Sequence, residues 1–192
     1  MNIGILGGTF NPPHIGHLIV AEYVRESLSL DKVLFVPSAI SPHKQHLEVV
    51  SAHHRVAMLR CAIEGNGYFS VSEIETRRGG ISFTIDTLKG VKEEYRNDKL
   101  FLLIGMDNLV EFHSWKTPER ILEMATLVVM TRPEVGDASP EIMLDGRARV
   151  CAVPEIAISS REIRTRVKEG RSIRYMVPPP IEDYIISNSL YR

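Results

Sequence analysis

Two stretches of this chain, 99–105 (KLFLLIG) and 126–130 (TLVVM), are apolar at almost every position. A strand with one face in water alternates apolar and polar residues, because successive side chains point to opposite faces. Runs that are apolar throughout belong to strands covered on both sides, as in parallel sheets sandwiched between helices. The rest of the chain fits that constraint. Further strands are predicted at 2–6, 32–36 and 69–74, with a shorter one at 149–153. Between them, helical patterns run from 14 to 27, from 51 to 64 (with Val56, Met58, Leu59, Ala62 and Ile63 at helical spacing) and from 84 to 95. Another helix starts at Thr117-Pro118, and a last one covers 181–189 after the proline run 178–180. Strands separated by helices make βαβ units. The expected fold class is α/β, a doubly wound, mostly parallel, Rossmann-like sheet flanked by helices, with ligands beyond the carboxyl ends of the strands.

No repeat, low-complexity tract or linker divides the 192 residues, and 44% hydrophobic content supports one domain with its own core. A net charge of −1 offers no electrostatic footprint for duplex nucleic acid or an anionic membrane. Cys61 and Cys151 form no C-x-x-C pair and read as buried thiols of a reducing compartment. The opening MNIGILGGTF lacks a basic region and breaks into glycines too early for a signal peptide. No apolar run approaches the ~20 residues of a membrane span. A cytoplasmic protein with neither nucleic-acid nor membrane partners is expected.

The chemistry concentrates in Gly7-Gly8-Thr9-Phe10-Asn11-Pro12-Pro13-His14-Ile15-Gly16-His17. Glycines directly after a strand let backbone pass close to a phosphate. Prolines suit the approach to a helix, where no backbone N–H is required. His14 and His17 then stand three apart on one helix face, with Gly16 keeping the surface between them low. Two imidazoles beside a helix N-terminus form a donor array for a phosphate gaining charge. No G-K-[ST] follows, so the loop is not of the Walker type, and the spacing is not G-x-G-x-x-G.

This segment resembles the (T/H)-x-G-H loop of the nucleotidyltransferase superfamily. The wider pattern resembles the bacterial nicotinate-nucleotide adenylyltransferases, over nearly the whole chain. Ser41-Pro42-His43-Lys44 is similar to that family's P-P-H-K loop, and residues 78–88 (RGGISFTIDTL) to its R-x-G-x-S-Y-T-x-D-T-L segment. Gly105-Met106-Asp107 with Phe112 and Trp115 resembles G-x-D…F-x-x-W, and residues 158–164 (ISSREIR) resemble I-S-S-T-x-I-R. The resemblance implies transfer of AMP from ATP to nicotinate mononucleotide, with Mg²⁺ accompanying ATP. It assigns His14, His17 and Arg164 to catalysis. It assigns ATP binding to Gly7, Gly8, Thr9, Phe10, His14, His17, Gly105, Asp107, Ser159, Ser160 and Arg164, with residues 159–192 a C-terminal helical portion completing that site. It assigns nicotinate mononucleotide to Lys44, Thr84 and Trp115. Read by themselves, Ser159 with Glu162 is a helix cap, Asp107 a turn residue, and Trp115 half-buried packing.

Four histidines, His43, His46, His53 and His54, lack accompanying carboxylates or cysteines at zinc spacing, so no resident metal is expected. His53 and His54 read as the opening of the second helix. The chain departs from the family pattern at Asn11, commonly Asp; at Arg161, often Thr; at Lys116, commonly aromatic; and at Ser41, commonly Pro. Asn11 suffices if its side chain only caps or turns, and Lys116 either pairs with a nicotinate carboxylate or is solvated. Rival readings are a sibling enzyme with another phosphorylated acceptor, a non-catalytic nucleotide sensor, and a metal hydrolase.

Overall fold

The computed structural model describes residues 1–40, 49–131 and 147–192. Six strands form one sheet: β1 (Asn2–Gly8), β2 (Lys32–Pro37), β3 (Phe69–Val71), β4 (Lys99–Gly105), β5 (Thr126–Thr131) and β6 (Ala148–Ala152). Their order is β3-β2-β1-β4-β5-β6, and every pairing is parallel. The expected doubly wound α/β fold is what forms. The apolar runs lie in β4 and β5, the interior of the sheet, where both faces are covered.

Eight α-helices are described: α1 (Ile15–Ser27), α2 (Ala52–Ile63), α3 (Ile74–Arg78), α4 (Thr84–Glu94), α5 (Met106–Glu111), α6 (Pro118–Met124), α7 (Ser160–Lys168) and α8 (Pro179–Ser187). Ile3, Ile5, Leu102, Ile104, Leu127 and Val129 pack with Ile85, Leu88 and Ile121 of α4 and α6 on one face of the sheet. Leu6, Phe35, Leu103 and Val128 pack with Ala21 and Val24 of α1 on the other. A third cluster joins Met58 of α2 to Ile163, Ile173, Val177, Ile181, Ile185 and Leu190. Residues 159–192 are thus fixed to the body through α2.

One strand is shorter than its alternation predicts. β3 ends at Val71, and residues 74–78 turn into α3 instead of extending to Ile74. The reason lies in its neighbour. Val33 N–H donates to Tyr68 O at 2.8 Å, and Ser72 N–H donates to Phe35 O at 2.9 Å. The next donor toward β3 would be the nitrogen of residue 37, and Pro37 has no N–H. With the ladder broken, the chain leaves the sheet.

Candidate active site

β1 is the strand at which the sheet order reverses, and its last residues, Gly7 and Gly8, open the crevice expected there. Gly105 ends neighbouring β4 and caps α5, so both glycine ends flank one opening. Past β1, Phe10 takes a positive φ of 49° and turns its ring into the core, where it is 3% exposed. That ring meets His17 edge-on at 5.1 Å between centroids. Phe10, expected among the ATP-lining residues, therefore supports His17 from beneath with its side chain.

His14 precedes the first turn of α1, and its backbone N–H donates to His17 Nδ1 at 3.1 Å. With Nδ1 accepting, the neutral His17 ring carries its proton on Nε2. The two imidazoles lie stacked, 3.7 Å between centroids and tilted by 31°. His14 is 8% exposed, and its Nδ1 is buried without a hydrogen-bond partner. Burial pushes its pKa down from 6.5 to about 4. His14 is therefore neutral at pH 7. A Cβ on Gly16 would stand 3.1 Å from His14 Nδ1 and 3.2 Å from Ile156 Cγ2, so glycine lets that ring lie against the helix.

A pH dependence follows, with its sign fixed by linkage. Between pH 6.5 and about 4 the unfolded chain protonates His14 and the folded chain does not. Stability therefore falls as pH falls through that window, at up to about 1.4 kcal/mol per pH unit. Urea unfolding of wild type and His14→Gln at pH 7 and pH 4.5 measures it: the variant should lose less stability on acidification.

The loop is held from outside by side chains that grasp its carbonyls. Arg55, 2% exposed on α2, donates to Thr9 O at 2.9 Å, Val50 O at 3.2 Å and Ala39 O at 3.4 Å. Ser160 Oγ donates to Pro12 O at 2.7 Å, and Arg164 donates to Asn11 O at 2.8 Å. Ser159 caps α7 by accepting from Glu162 N–H at 3.1 Å. Asn11 Oδ1 accepts from Tyr191 OH at 2.8 Å and from Val50 N–H at 3.4 Å. An acceptor oxygen is what these donors need, and Asn supplies it as Asp would.

Two cavities flank this loop. The smaller, about 220 Å³, is lined by Leu6, His14, Gly16, His17, Val20, Met130 and Ile156. The larger, about 530 Å³, is lined among others by Gly7, Gly8, Thr9, Ser38, Thr84, Asp107 and Trp115. Gly7, Gly8, Thr9 and Asp107, expected with ATP, thus share a wall with Thr84 and Trp115, expected with the acceptor. The β1 strand contributes to both, with Ile5, Gly7 and Gly8 lining the larger space and Leu6 the smaller. Thr84 is the first residue of α4. Trp115 ends a 3₁₀ turn (Phe112–Ser114) and packs on Phe112 at 5.4 Å between ring centroids. Lys116 pairs with Asp86 at 3.0 Å and lies 4.5 Å from the Phe83 ring centroid, so it is fixed to the cavity wall. Lys44, with His43 and His46, falls outside the described residues.

Sequence reasoning missed Arg55, Glu75 and Tyr191. Glu75 is 7% exposed, lines the larger cavity and accepts from Thr87 Oγ1 at 2.5 Å. Burial raises its pKa above the usual glutamate range, against the pull of hydrogen bonds from Ser82 and Thr87. Arg55 had a usable signal, since it stands three and four residues before Met58 and Leu59, on the apolar face of α2. Among the described residues, no group of three or more His, Cys, Asp or Glu is placed to hold a metal ion, and no helix is long and apolar enough to cross a membrane.

The chain matches the cytidylyltransferase-like family over residues 5–166. It is 44% identical to an Exiguobacterium sibiricum protein named "Probable nicotinate-nucleotide adenylyltransferase", an alignment covering 100% of this chain and 99% of that one. A Salinibacter ruber protein of the same name is 38% identical over 100% of this chain and 98% of its own. The chain belongs to the nicotinate-nucleotide adenylyltransferase family. Its fold is also that of the Plasmodium falciparum nicotinic acid mononucleotide adenylyltransferase complexed with NaAD, with a TM-score of 0.80, 22% identity, and coverage of 99% of this chain and 97% of that one. In this adenylyltransferase the family motifs among the described residues lie on β1, α1, α4, α5 and α7, around the point where the sheet order reverses.

Proposed function

We propose that this chain transfers the adenylyl group of ATP to nicotinate mononucleotide, giving deamido-NAD and pyrophosphate. The observation that carries the reading is one loop with two lined sides: its stacked His14–His17 pair lines one space, while its Gly7, Gly8 and Thr9 line another together with Thr84 and Trp115. A phosphate monoester has its second pKa near 6 and is largely dianionic at pH 7, so its oxygen needs no general base. That oxygen attacks the α-phosphorus, and the bond to the β-phosphate breaks as pyrophosphate leaves. Catalysis is then positioning and charge stabilisation. His14 and His17 donate to the phosphate oxygens on which charge builds. Arg164, whose remaining N–H groups stay beside the loop it braces, adds a fixed positive charge. Magnesium enters with ATP, carried by its phosphates and water. Residues 159–192 complete the ATP side by holding Asn11 and Pro12.

On the acceptor side, Trp115 supplies a stacking face for a pyridinium ring, and the N-terminus of α4 at Thr84 supplies backbone donors for its carboxylate. Lys44 belongs to the same proposed acceptor set. The test is pyrophosphate release with MgATP and either nicotinate mononucleotide, nicotinamide mononucleotide or phosphopantetheine. A preference for the nicotinate compound by roughly a hundredfold supports the reading, and a preference for either other acceptor overturns the named substrate. Trp115→Ala should raise KM for the acceptor about tenfold, corresponding to ~1–2 kcal/mol of lost stacking and cation–π attraction. An unchanged KM would remove Trp115 from the acceptor site.

A further inference from the structure

Tyr191 lies far from the family motifs in sequence, yet its hydroxyl reaches the loop before His14. Tyr191 OH donates to Asn11 Oδ1 at 2.8 Å, 180 residues away in the chain. Three features show that this contact is built rather than incidental. Tyr191 is held at φ 66° and Ser189 at φ 51°, both in the left-handed region that bulky side chains avoid. Such backbone persists where surrounding contacts over-determine it. Leu190, between them, is 8% exposed in the third core cluster and donates to Ile185 O at 3.0 Å, which anchors the turn on α8. Arg55 and Arg164, which hold the Thr9 and Asn11 carbonyls of the same loop, both act electrostatically on the hydroxyl.

We infer that Tyr191 is a positioning residue for adenylyl transfer, locking Asn11 so that His14 and His17 keep their stacked geometry. Between Asn11 and His14 the loop carries two prolines, whose side chains cannot hydrogen-bond. Arg164 and Ser160 fix the carbonyls of residues 11 and 12, while Tyr191 fixes the Asn11 side chain. Together they define both ends of that residue. Misplacing catalytic donors by even an ångström lowers turnover more than substrate binding. The role departs from the family resemblance, none of whose motifs reaches residue 191, and it rests on the adenylyl-transfer reading above.

The experiment compares steady-state kinetics and thermal melts of wild type, Tyr191→Phe and Tyr184→Phe with MgATP and nicotinate mononucleotide. Tyr184, on α8, is the matched control: its hydroxyl hydrogen-bonds His54 Nδ1 at 3.0 Å instead of Asn11. Tyr191→Phe should lower kcat roughly tenfold with KM values within about twofold and a melting temperature close to wild type. Tyr184→Phe should keep wild-type kcat. Asn11→Ala should lower kcat similarly, and the double variant should lose no more than either single one. Unchanged kcat in Tyr191→Phe, equal loss in Tyr184→Phe, or additive losses in the double variant would each overturn the inference. Wild type that releases no pyrophosphate with these substrates would instead overturn the reading on which it rests.

Discussion

His17→Ala should lower kcat for adenylyl transfer by roughly 10²–10³, about 2.7–4 kcal/mol of barrier, with little change in KM for nicotinate mononucleotide. The expectation comes from where the ring is fixed. His17 Nδ1 is occupied by the His14 backbone N–H, and Phe10 packs edge-on against the ring. With Nδ1 accepting, the neutral ring carries its proton on Nε2, and that tautomer is set before substrate arrives. A donor preorganised in this way stabilises charge that appears only as the α-phosphorus is attacked, and its removal falls on kcat. Single-turnover pyrophosphate release with saturating MgATP measures it. An alanine variant retaining full turnover would take His17 out of the mechanism.

The second large effect concerns stability. Arg55→Leu should destabilise the fold by about 3–5 kcal/mol, and lower the melting temperature by roughly 10 °C or more. Leucine fits the space crudely but leaves the carbonyls of Thr9, Val50 and Ala39 without their donors. Each orphaned acceptor that water cannot reach costs about 1–3 kcal/mol, offset in part by relief of the desolvation that already lowers the Arg55 pKa. Arg55→Lys should recover only part of the loss, because one ammonium cannot match the spread of three acceptors held by the guanidinium fork. Urea and thermal unfolding distinguish the cases; a melting temperature within a degree or two of wild type would show that water satisfies those carbonyls.

The two proposals differ in how visible their residues were beforehand. The apolar runs of β4 and β5 declare a doubly covered sheet by themselves, and GGTFNPPHIGH declares its loop by local grammar alone. Those signals are contiguous, so a sequence displays them directly. The length of β3 depended on a missing N–H in Pro37, which belongs to the neighbouring strand. Arg55 sits in an ordinary-looking AHHRVAML stretch, and its importance comes from carbonyls of residues 9, 39 and 50. Tyr191 reaches Asn11 only through the packing of α8 on α2. Ser160 and Arg164 were legible as motif residues, whereas their grip on the Pro12 and Asn11 carbonyls was not. What a sequence hides here is the pairing of groups distant along the chain, whose chemistry is common and whose partners are set by the fold.

The clasped carbonyls have an electrostatic consequence. Pro12 and Pro13 strip the loop of two N–H donors, leaving a stretch of backbone in which acceptors outnumber donors. Oxygen dipoles beside a triphosphate would repel it. Arg55, Arg164 and Ser160 draw the oxygens of Thr9, Asn11 and Pro12 toward themselves and oppose their negative ends. The potential met by an approaching polyanion is then set by the imidazole N–H groups and by the two guanidinium charges behind them. The side chains that hold the loop in shape also decide the sign of the field above it.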